Sequence, residues 1–551
     1  MYGMRMPRKN LPNRMNASGR TRVVAYHKGL LPLAIGWICW TALGAGLSQE
    51  RLELDWQGTT SPYAELSGAK WLGRTPTRQS RDIQASALGI GFETLDRETF
   101  DPKWTFKPIG EAGVKWARCQ TGWIRCEREK GRYDFAWLDE VVDGLAAEGV
   151  ETWFSVSFGN PLYTPNAEFA AACAKAKAEG TTAPGWARGY VGETPFYHGE
   201  EAMAAWHAYV RALARHFRGR VRVFEIWNEP EWFWREKGKD AWEVRGVTQA
   251  ARDFASFVKT TAAVLREEIP DAKTSFNLAA LSSGWMPALA NAGIAESVDI
   301  FNYHGYETFP EQGLDAMIAQ ARTLFRRKDG APLEIWQGES GRATGKSAIR
   351  YALPTQYSQA RFIARRVTSD LAAGAKLSSI FTVTDFLRYY PDGRDQYYGI
   401  LDGKTHQPKH GWYTLRCLGW LCDGLKPASE IFTMFTSCYE RETVDQLPFA
   451  GVKTAAFRRK GVPVLAFWRP QHVELNAQPL RGSLNYVIGE KVGAFEHPIL
   501  IDPVRCEVWD VSGLMATRDW TRRLGVERLK PCFALDYPLF LSDRTILSIP
   551  R

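Results

Sequence analysis

Strand-like and helix-like segments alternate from Ile83 to about Leu425, and a β-rich tail follows. This pattern predicts an α/β chain: a (β/α)8 TIM barrel with a C-terminal accessory β-sandwich. Three observations carry the prediction. Eight short β-branched or aromatic runs can be counted in the alternating region, amphipathic helical patterns separate them, and past Leu425 the texture becomes short alternating strands broken by Gly, Pro and Asn. At 551 residues the chain is too long for one ordinary domain and suits a barrel plus a second module.

The eight strand candidates are 86–92, 114–119, 150–156, 221–227, 273–278, 298–303, 333–337 and 378–383. Between them, Trp137, Leu138, Val141, Val142 and Leu145 recur at helical spacing after Asp134, a good N-cap, and Gly149 closes that helix. Trp206, Tyr209, Val210, Leu213 and Phe217 repeat the stripe before the fourth strand. Phe254, Phe257, Val258, Ala262 and Leu265 form another, ended by Pro270. A doubly wound open sheet is the competing fold, and the chain lacks the glycine fingerprint that would support it. The largest insertion, 160–200, follows the third strand and carries Pro161, Tyr163, Trp186, Tyr190 and Tyr197. In a barrel such a loop lies on the catalytic face, where it can wall off a pocket. In the tail, 464–468, 507–511 and 545–549 read as sandwich strands.

The domain plan is then a signal peptide over 1–48, a lead-in over 49–82 that starts strand-like at Leu52-Glu-Leu54 and can pair with the sandwich, the barrel over 83–425 and the sandwich over 426–551. The leader has a basic start and an uncharged apolar run from Gly29 to Leu47, with Ala42, Gly44, Ala45 and Gly46 near its end, the form of a secretory signal. Export to the periplasm or beyond is expected, the mature chain beginning between Ala45 and Leu52. An uncleaved membrane anchor is the alternative, which Gly29, Pro32, Gly36, Gly44 and Gly46 make a mediocre span. The formal charge of +9 belongs mostly to this leader, where seven Lys and Arg precede the first acid, Glu50. No nucleic-acid partner is therefore expected. The nine cysteines show no paired CxxC spacing of zinc type, and those beyond Cys39 read mostly as small buried hydrophobes. Of the 22 tryptophans, most are expected in the core.

The informative stretch is Val221-Arg-Val-Phe-Glu-Ile-Trp-Asn-Glu-Pro230. It reads as a buried strand that Pro230 stops, delivering Asn228 and Glu229 to its C-terminal tip. A carboxyl beside an apolar aromatic strand is poised to hold the raised pKa that a general acid needs. The competing reading is a turn that merely ends a strand.

Trp227-Asn228-Glu229-Pro230 after such a strand resembles the acid/base signature of clan-A glycoside hydrolases, nearest to the family of β-xylosidases and α-L-iduronidases, glycoside hydrolase family 39. The resemblance covers about 86–420. It implies a barrel with the acid/base Glu after strand four and a nucleophilic Glu after strand seven. There the chain reads Pro332-Leu-Glu-Ile-Trp-Gln-Gly-Glu-Ser-Gly341, so Glu339 is the implied nucleophile, with Gly338 and Gly341 leaving room for close approach. Glu334 lies near the strand's N-terminal end, the wrong face of a barrel. Arg118 resembles the arginine that steadies the nucleophile, while His304 and Tyr306 match the strand-six tip. Asn228 is placed to bind substrate, and Glu93, Gln120 and Trp123, which follow strands one and two, are placed to line the sugar subsite. The chain departs from the family at Gln120-Thr-Gly, where a His-Gly pair is usual, and at Gly-Glu-Ser around Glu339, two positions that bear on which sugar is bound.

The implied activity is retaining β-glycoside hydrolysis of oligo- or polysaccharide, without cofactor or metal. A catalytically inactive carbohydrate-binding protein on the same scaffold is the alternative, against which the presence of both glutamates speaks. Gly341-Arg-Ala-Thr-Gly-Lys-Ser347 imitates a phosphate loop but has one residue too few between its glycines.

Overall fold

The computed structural model describes residues 60–548 apart from 183–187, 280, 282–283, 346–354, 391, 438–450, 474–477, 490–494 and 522–523. The leader, Leu52-Glu-Leu54, Trp186 and Cys438 lie outside the described residues.

Eight parallel strands close into a barrel: β1 (Leu88–Gly91), β2 (Trp116–Gln120), β3 (Glu151–Val156), β4 (Val223–Ile226), β5 (Lys273–Leu278), β6 (Ile300–His304), β7 (Glu334–Ser340) and β8 (Ser378–Ile380). Each falls on one of the eight runs read from the sequence. Helices follow the strands in the alternation expected; the stripes on Glu200–Phe217 and Val247–Glu268 are buried against the barrel. Helix Ala136–Ala147 corrects one detail. Its cap is Phe135, with no side-chain bond, and Asp134 sits one residue further out, its Oδ1 accepting from the Ala136 N–H at 3.0 Å. Gly149, at φ +78°, ends the helix where a left-handed residue is needed.

The barrel interior is graded. At the N-terminal ends, Trp153, Val223, Ile300, Trp336 and Leu377 form an apolar plug, with Trp116 packed against it. At the C-terminal ends the same inward alternation places Arg118, Ser155, Glu225 and Asn302, joined by Asn277 and, past a break in the β7 register, by Glu339. The bottom is thereby sealed from water, and polar chemistry is confined to the top.

Two antiparallel sheets make the second module. One has seven strands in the order 70–74, 507–510, 498–502, 539–543, 462–468, 453–459 and 425–427, and the other has 432–437, 480–487, 524–534 and 515–521. Lys70–Arg74, which precedes the barrel, pairs with Glu507–Asp510, Trp71 opposite Trp509. Leu465, Phe467 and Leu541 of the first sheet and Leu484, Tyr486 and Leu529 of the second share one core. Ala360 and Ala364 of the barrel helix Gln356–Ala372 enter the same core, which docks the sandwich on the barrel. The reading of 545–549 as a strand is wrong: Arg544–Ser548 is a 3-10 helix. Asp543 Oδ1 accepts from the Thr545 N–H at 2.9 Å, and this local turn competes with a continued ladder.

Cys119, Cys126, Cys417, Cys422, Cys506 and Cys532 are buried free thiols, and Cys173 is exposed. No helix among the described residues is long and apolar enough to cross a membrane.

Candidate active site

The tip of β4 is bent sharply. Trp227 and Glu229 both have positive φ, +68° and +43°, an uncommon conformation for residues with a Cβ. Three bonds hold them there. Asn277 of β5 accepts from the Glu229 N–H at 2.7 Å and donates to the Trp227 carbonyl at 3.1 Å, and Trp227 Nε1 donates to the Phe233 carbonyl at 2.8 Å. Pro230 then opens the one-turn helix Pro230–Phe233, a position where its missing N–H costs nothing. The bend throws the Glu229 carboxyl across the barrel mouth.

On the far side, β7 carries a bulge. Its registers with β6 and with β8 both shift after Gln337, which re-aims Glu339. Glycine is required at 338, since a Cβ there would lie 2.2 Å from the Asn302 side chain. Carboxylate oxygens of Glu229 and Glu339, with a ring nitrogen of His304, all lie within 4.8 Å of one another.

Arg118 organises the floor beneath them. Its Nη1 donates to Glu339 Oε2 at 2.7 Å and to Glu93 Oε1 at 3.0 Å; its Nη2 donates to Asn228 Oδ1 at 2.7 Å; and its Nε donates to Glu225 Oε1 at 3.0 Å. Asn302 donates to the other oxygen of Glu225. One planar guanidinium thus fixes the nucleophile candidate, the Asn before Glu229, and two further acids. Tyr306 donates its hydroxyl to Glu339 Oε1 at 2.6 Å, so both oxygens of Glu339 are held. His304 Nδ1 lies 2.8 Å from Glu229 Oε1 and 3.7 Å from Glu339 Oε2.

These surroundings push the two carboxyls apart. Burial raises Glu229 above the ordinary carboxylate range, and the charge of Glu339 adds to the rise against the hydrogen bond from His304. Burial acts on Glu339 in the same direction, but His304, Arg118 and Tyr306 outweigh it and hold that group below the ordinary range. Burial lowers His304, which the two carboxylates more than reverse. Burial carries Glu93 up to about 8 despite Arg118. One group suited to give a proton therefore faces one suited to stay charged. The Glu229, His304 and Glu339 donors could hold a divalent ion by spacing alone. Arg118 already supplies a positive charge on Glu339 at 2.7 Å, and a protonated His304 would compete for the same space.

Of the residues singled out from sequence, the fold brings Glu93, Arg118, Asn228, Glu229, His304, Tyr306 and Glu339 together. Gln120 stands at the edge of this group, its Oε1 accepting from Arg97 Nη2 at 3.2 Å. Trp123 is a correction. It is fully buried, with Tyr163 and Tyr209 stacked on its ring at 5.3 and 5.6 Å and its indole N–H bonded to Glu127. No sugar reaches that ring; it belongs to the core between barrel and helices. Glu334 lies at the opposite end, accepting from Lys273 Nζ at 2.8 Å. Sequence reasoning missed Glu225, Asn277 and Asn302. For Glu225 and Asn302 the signal was present, since each is a polar residue among apolar neighbours in its strand and must find a buried partner, whereas Asn277 stands in the more polar strand Lys273–Leu278.

The family model described as beta-galactosidase, of glycoside hydrolase 42, matches residues 92–238, a segment that starts just after β1 and runs past Glu229. A family 39 glycoside hydrolase from Bacteroides cellulosilyticus WH2 is similar over 85% of this chain and 82% of its own, at 16% identity and a TM-score of 0.57. A GH30 endoxylanase from Clostridium papyrosolvens C71 aligns over 86% of this chain and 98% of its own at 12% identity, and a beta-galactosidase from Marinomonas ef1 over 61% and 59% at 15% identity. Their TM-scores are 0.47 and 0.41. A search of curated proteins finds no match. In fold, the chain is similar to that family 39 glycoside hydrolase.

Proposed function

We propose that the protein is a retaining glycoside hydrolase that cleaves O-glycosidic bonds by double displacement, acting on β-linked saccharides. The observation that carries this reading is the approach of the Glu229 and Glu339 carboxylates to within 4.8 Å, close to the ~5–5.5 Å of retaining enzymes and short of the ~6.5–9.5 Å that inversion needs. Glu339, ionised and held on both oxygens, attacks the anomeric carbon. The bond from that carbon to the leaving oxygen breaks, and Glu229 gives the oxygen its proton. Water then attacks the glycosyl ester, Glu229 takes the water's proton, and the Glu339 carboxylate is released. Asn228, its Oδ1 tied to Arg118, keeps its amide N–H groups for a sugar hydroxyl in this reading. Gln120 and Glu93 support the floor.

The beta-galactosidase description of the matched model and the family 39 likeness support the chemistry and leave the sugar open. A panel of aryl β-xyloside, glucoside, galactoside and fucoside tests the reading, with the product anomer followed by NMR at early times. Turnover of at least one member with retention is the expected result. Hydrolysis of none, or an inverted first product, overturns it. The apolar run after a basic start supports export, which N-terminal sequencing of the mature protein tests: a start between Ala45 and Leu52 is expected.

A further inference from the structure

The loop after β4 is pinned along its length. It runs from Glu229 through the helix Pro230–Phe233, a ribbon of Arg235–Glu236 with Lys239–Asp240, and the helix Ala241–Arg245. Trp242 Nε1 donates to the Glu231 carbonyl at 2.9 Å and pins the two helices together. Arg245 grips Glu236 with a two-pronged ion pair at 2.6 and 2.9 Å, and the Arg235 N–H donates to the Gly192 carbonyl at 3.0 Å, tying the loop to the long insertion after β3. Trp227 and Trp234 are fully buried, their rings 5.5 Å apart.

Against this frame, Trp232 stands out. It is 39% exposed, and among the described residues no aromatic ring packs on it. Among those residues, the other large apolar side chains in solvent are Val244, on the same loop, and Trp71 and Phe432, both on sandwich strands. An exposed indole on a pinned loop loses little freedom when a flat partner lands on it. The Trp232 N–H donates to the Glu229 carbonyl at 2.9 Å, so the ring springs from the turn of helix that begins at the proton donor.

We propose that Trp232 is a stacking platform for the saccharide on the leaving-group side, a binding subsite distinct from the floor built by Arg118. The inference rests on the retaining-hydrolase reading. Glu229 protonates the leaving oxygen, so the departing part of the substrate extends past Glu229, and the proposal assigns the exposed ring three residues on to that side. A pyranose presents an apolar C–H face that an indole covers; a methyl aglycone offers no such face. The preferred substrates are therefore bonds between two sugars, not simple alkyl glycosides.

The test compares kcat/KM for a disaccharide with kcat/KM for the methyl β-glycoside of the same sugar, taken from whichever series the aryl panel selects. In Trp232→Ala the ratio is expected to fall about tenfold, through KM for the disaccharide. Trp232→Phe keeps most of it. Trp232→Leu, apolar but without a flat face, behaves like the alanine variant. Trp71→Ala, an exposed tryptophan on the sandwich, leaves the ratio at the parent value. An unchanged ratio in Trp232→Ala, or an equal loss in Trp71→Ala, overturns the platform while the hydrolase reading stands. Failure of the parent to cleave any glycoside overturns both.

Discussion

Tyr306 donates its hydroxyl to Glu339 at 2.6 Å, while Arg118 holds the other oxygen of the same carboxylate at 2.7 Å. The proposed nucleophile is thus oriented by two donors, one on β2 and one just past the end of β6. In Tyr306→Phe the lost bond to a charged acceptor is worth roughly 1.5–3 kcal/mol, so kcat is expected to fall about 10- to 100-fold. The hydroxyl also helps keep Glu339 ionised, so its removal moves the acid limb of the pH–rate profile to higher pH. A fall in kcat with an unmoved acid limb would assign Tyr306 to substrate binding alone.

The two glutamates separate by their half-reactions. Glu339→Ala removes the nucleophile, and turnover is expected to vanish for every substrate; azide then restores some activity with inverted product. Glu229→Ala spares aryl glycosides with acidic phenols, which need little protonation, and lowers hydrolysis of alkyl glycosides by roughly 100- to 10,000-fold. Azide accelerates breakdown of its accumulated intermediate with retention. Equal losses on activated and unactivated substrates would remove Glu229 from the acid/base role.

Arg118→Lys keeps the charge and loses the fork. A lysine ammonium cannot reach Glu93, Glu225, Asn228 and Glu339 together from one point. We expect a soluble protein of lowered stability with activity down by at least 100-fold, measured by thermal melting and single-turnover kinetics. Wild-type rates in this variant would show that charge alone orients Glu339.

Glu93 makes a stability prediction with a definite sign. Its carboxyl is raised to about 8 in the fold, while an unfolded chain titrates near the ordinary value of 4.5. Between those values the folded state binds the extra proton, so stability falls as pH rises from about 4.5 to 8 and levels off above. Glu93→Gln removes that slope, since the amide imitates the protonated acid. Relative to the parent, its Tm is expected to be a few degrees higher at pH 8 and little changed at pH 5. A constant Tm difference across this range would show that Glu93 is ionised in the fold.

Much of this was legible because periodicity is local. Val221, Val223 and Phe224 announce a strand without knowledge of its neighbours, and Pro230 marks its end. Eight such strands in alternation with helices leave few ways to close, and the barrel follows. Periodicity put Glu229 at a strand tip, and the resemblance carried by Trp227-Asn228-Glu229-Pro230 singled out Glu229 and Glu339 as a pair. The 3-10 helix Arg544–Ser548 was misread because the alternation of 545–549 is also local, and one Asp543 side chain bond reverses its outcome.

What the chain order could not convey is which distant side chains meet. Arg118 reaches Glu225, Asn228 and Glu339 across 107, 110 and 221 residues. Only barrel closure brings β2, β4 and β7 to one mouth, and only there does an acid inside the strand Val223–Ile226 gain the cation it needs. Trp123 shows the reverse. Its place after β2 suggested a residue lining the sugar subsite, yet Tyr163, Tyr209 and Trp206 arrive from other segments and bury it. Trp232 stays in solvent three residues past Glu229 because its neighbours Trp227 and Trp234 take the interior positions of that loop. Burial is a property of the assembled neighbours, so the sequence alone determined the strands and their tips, and the tertiary structure decided which side chains at those tips face the mouth.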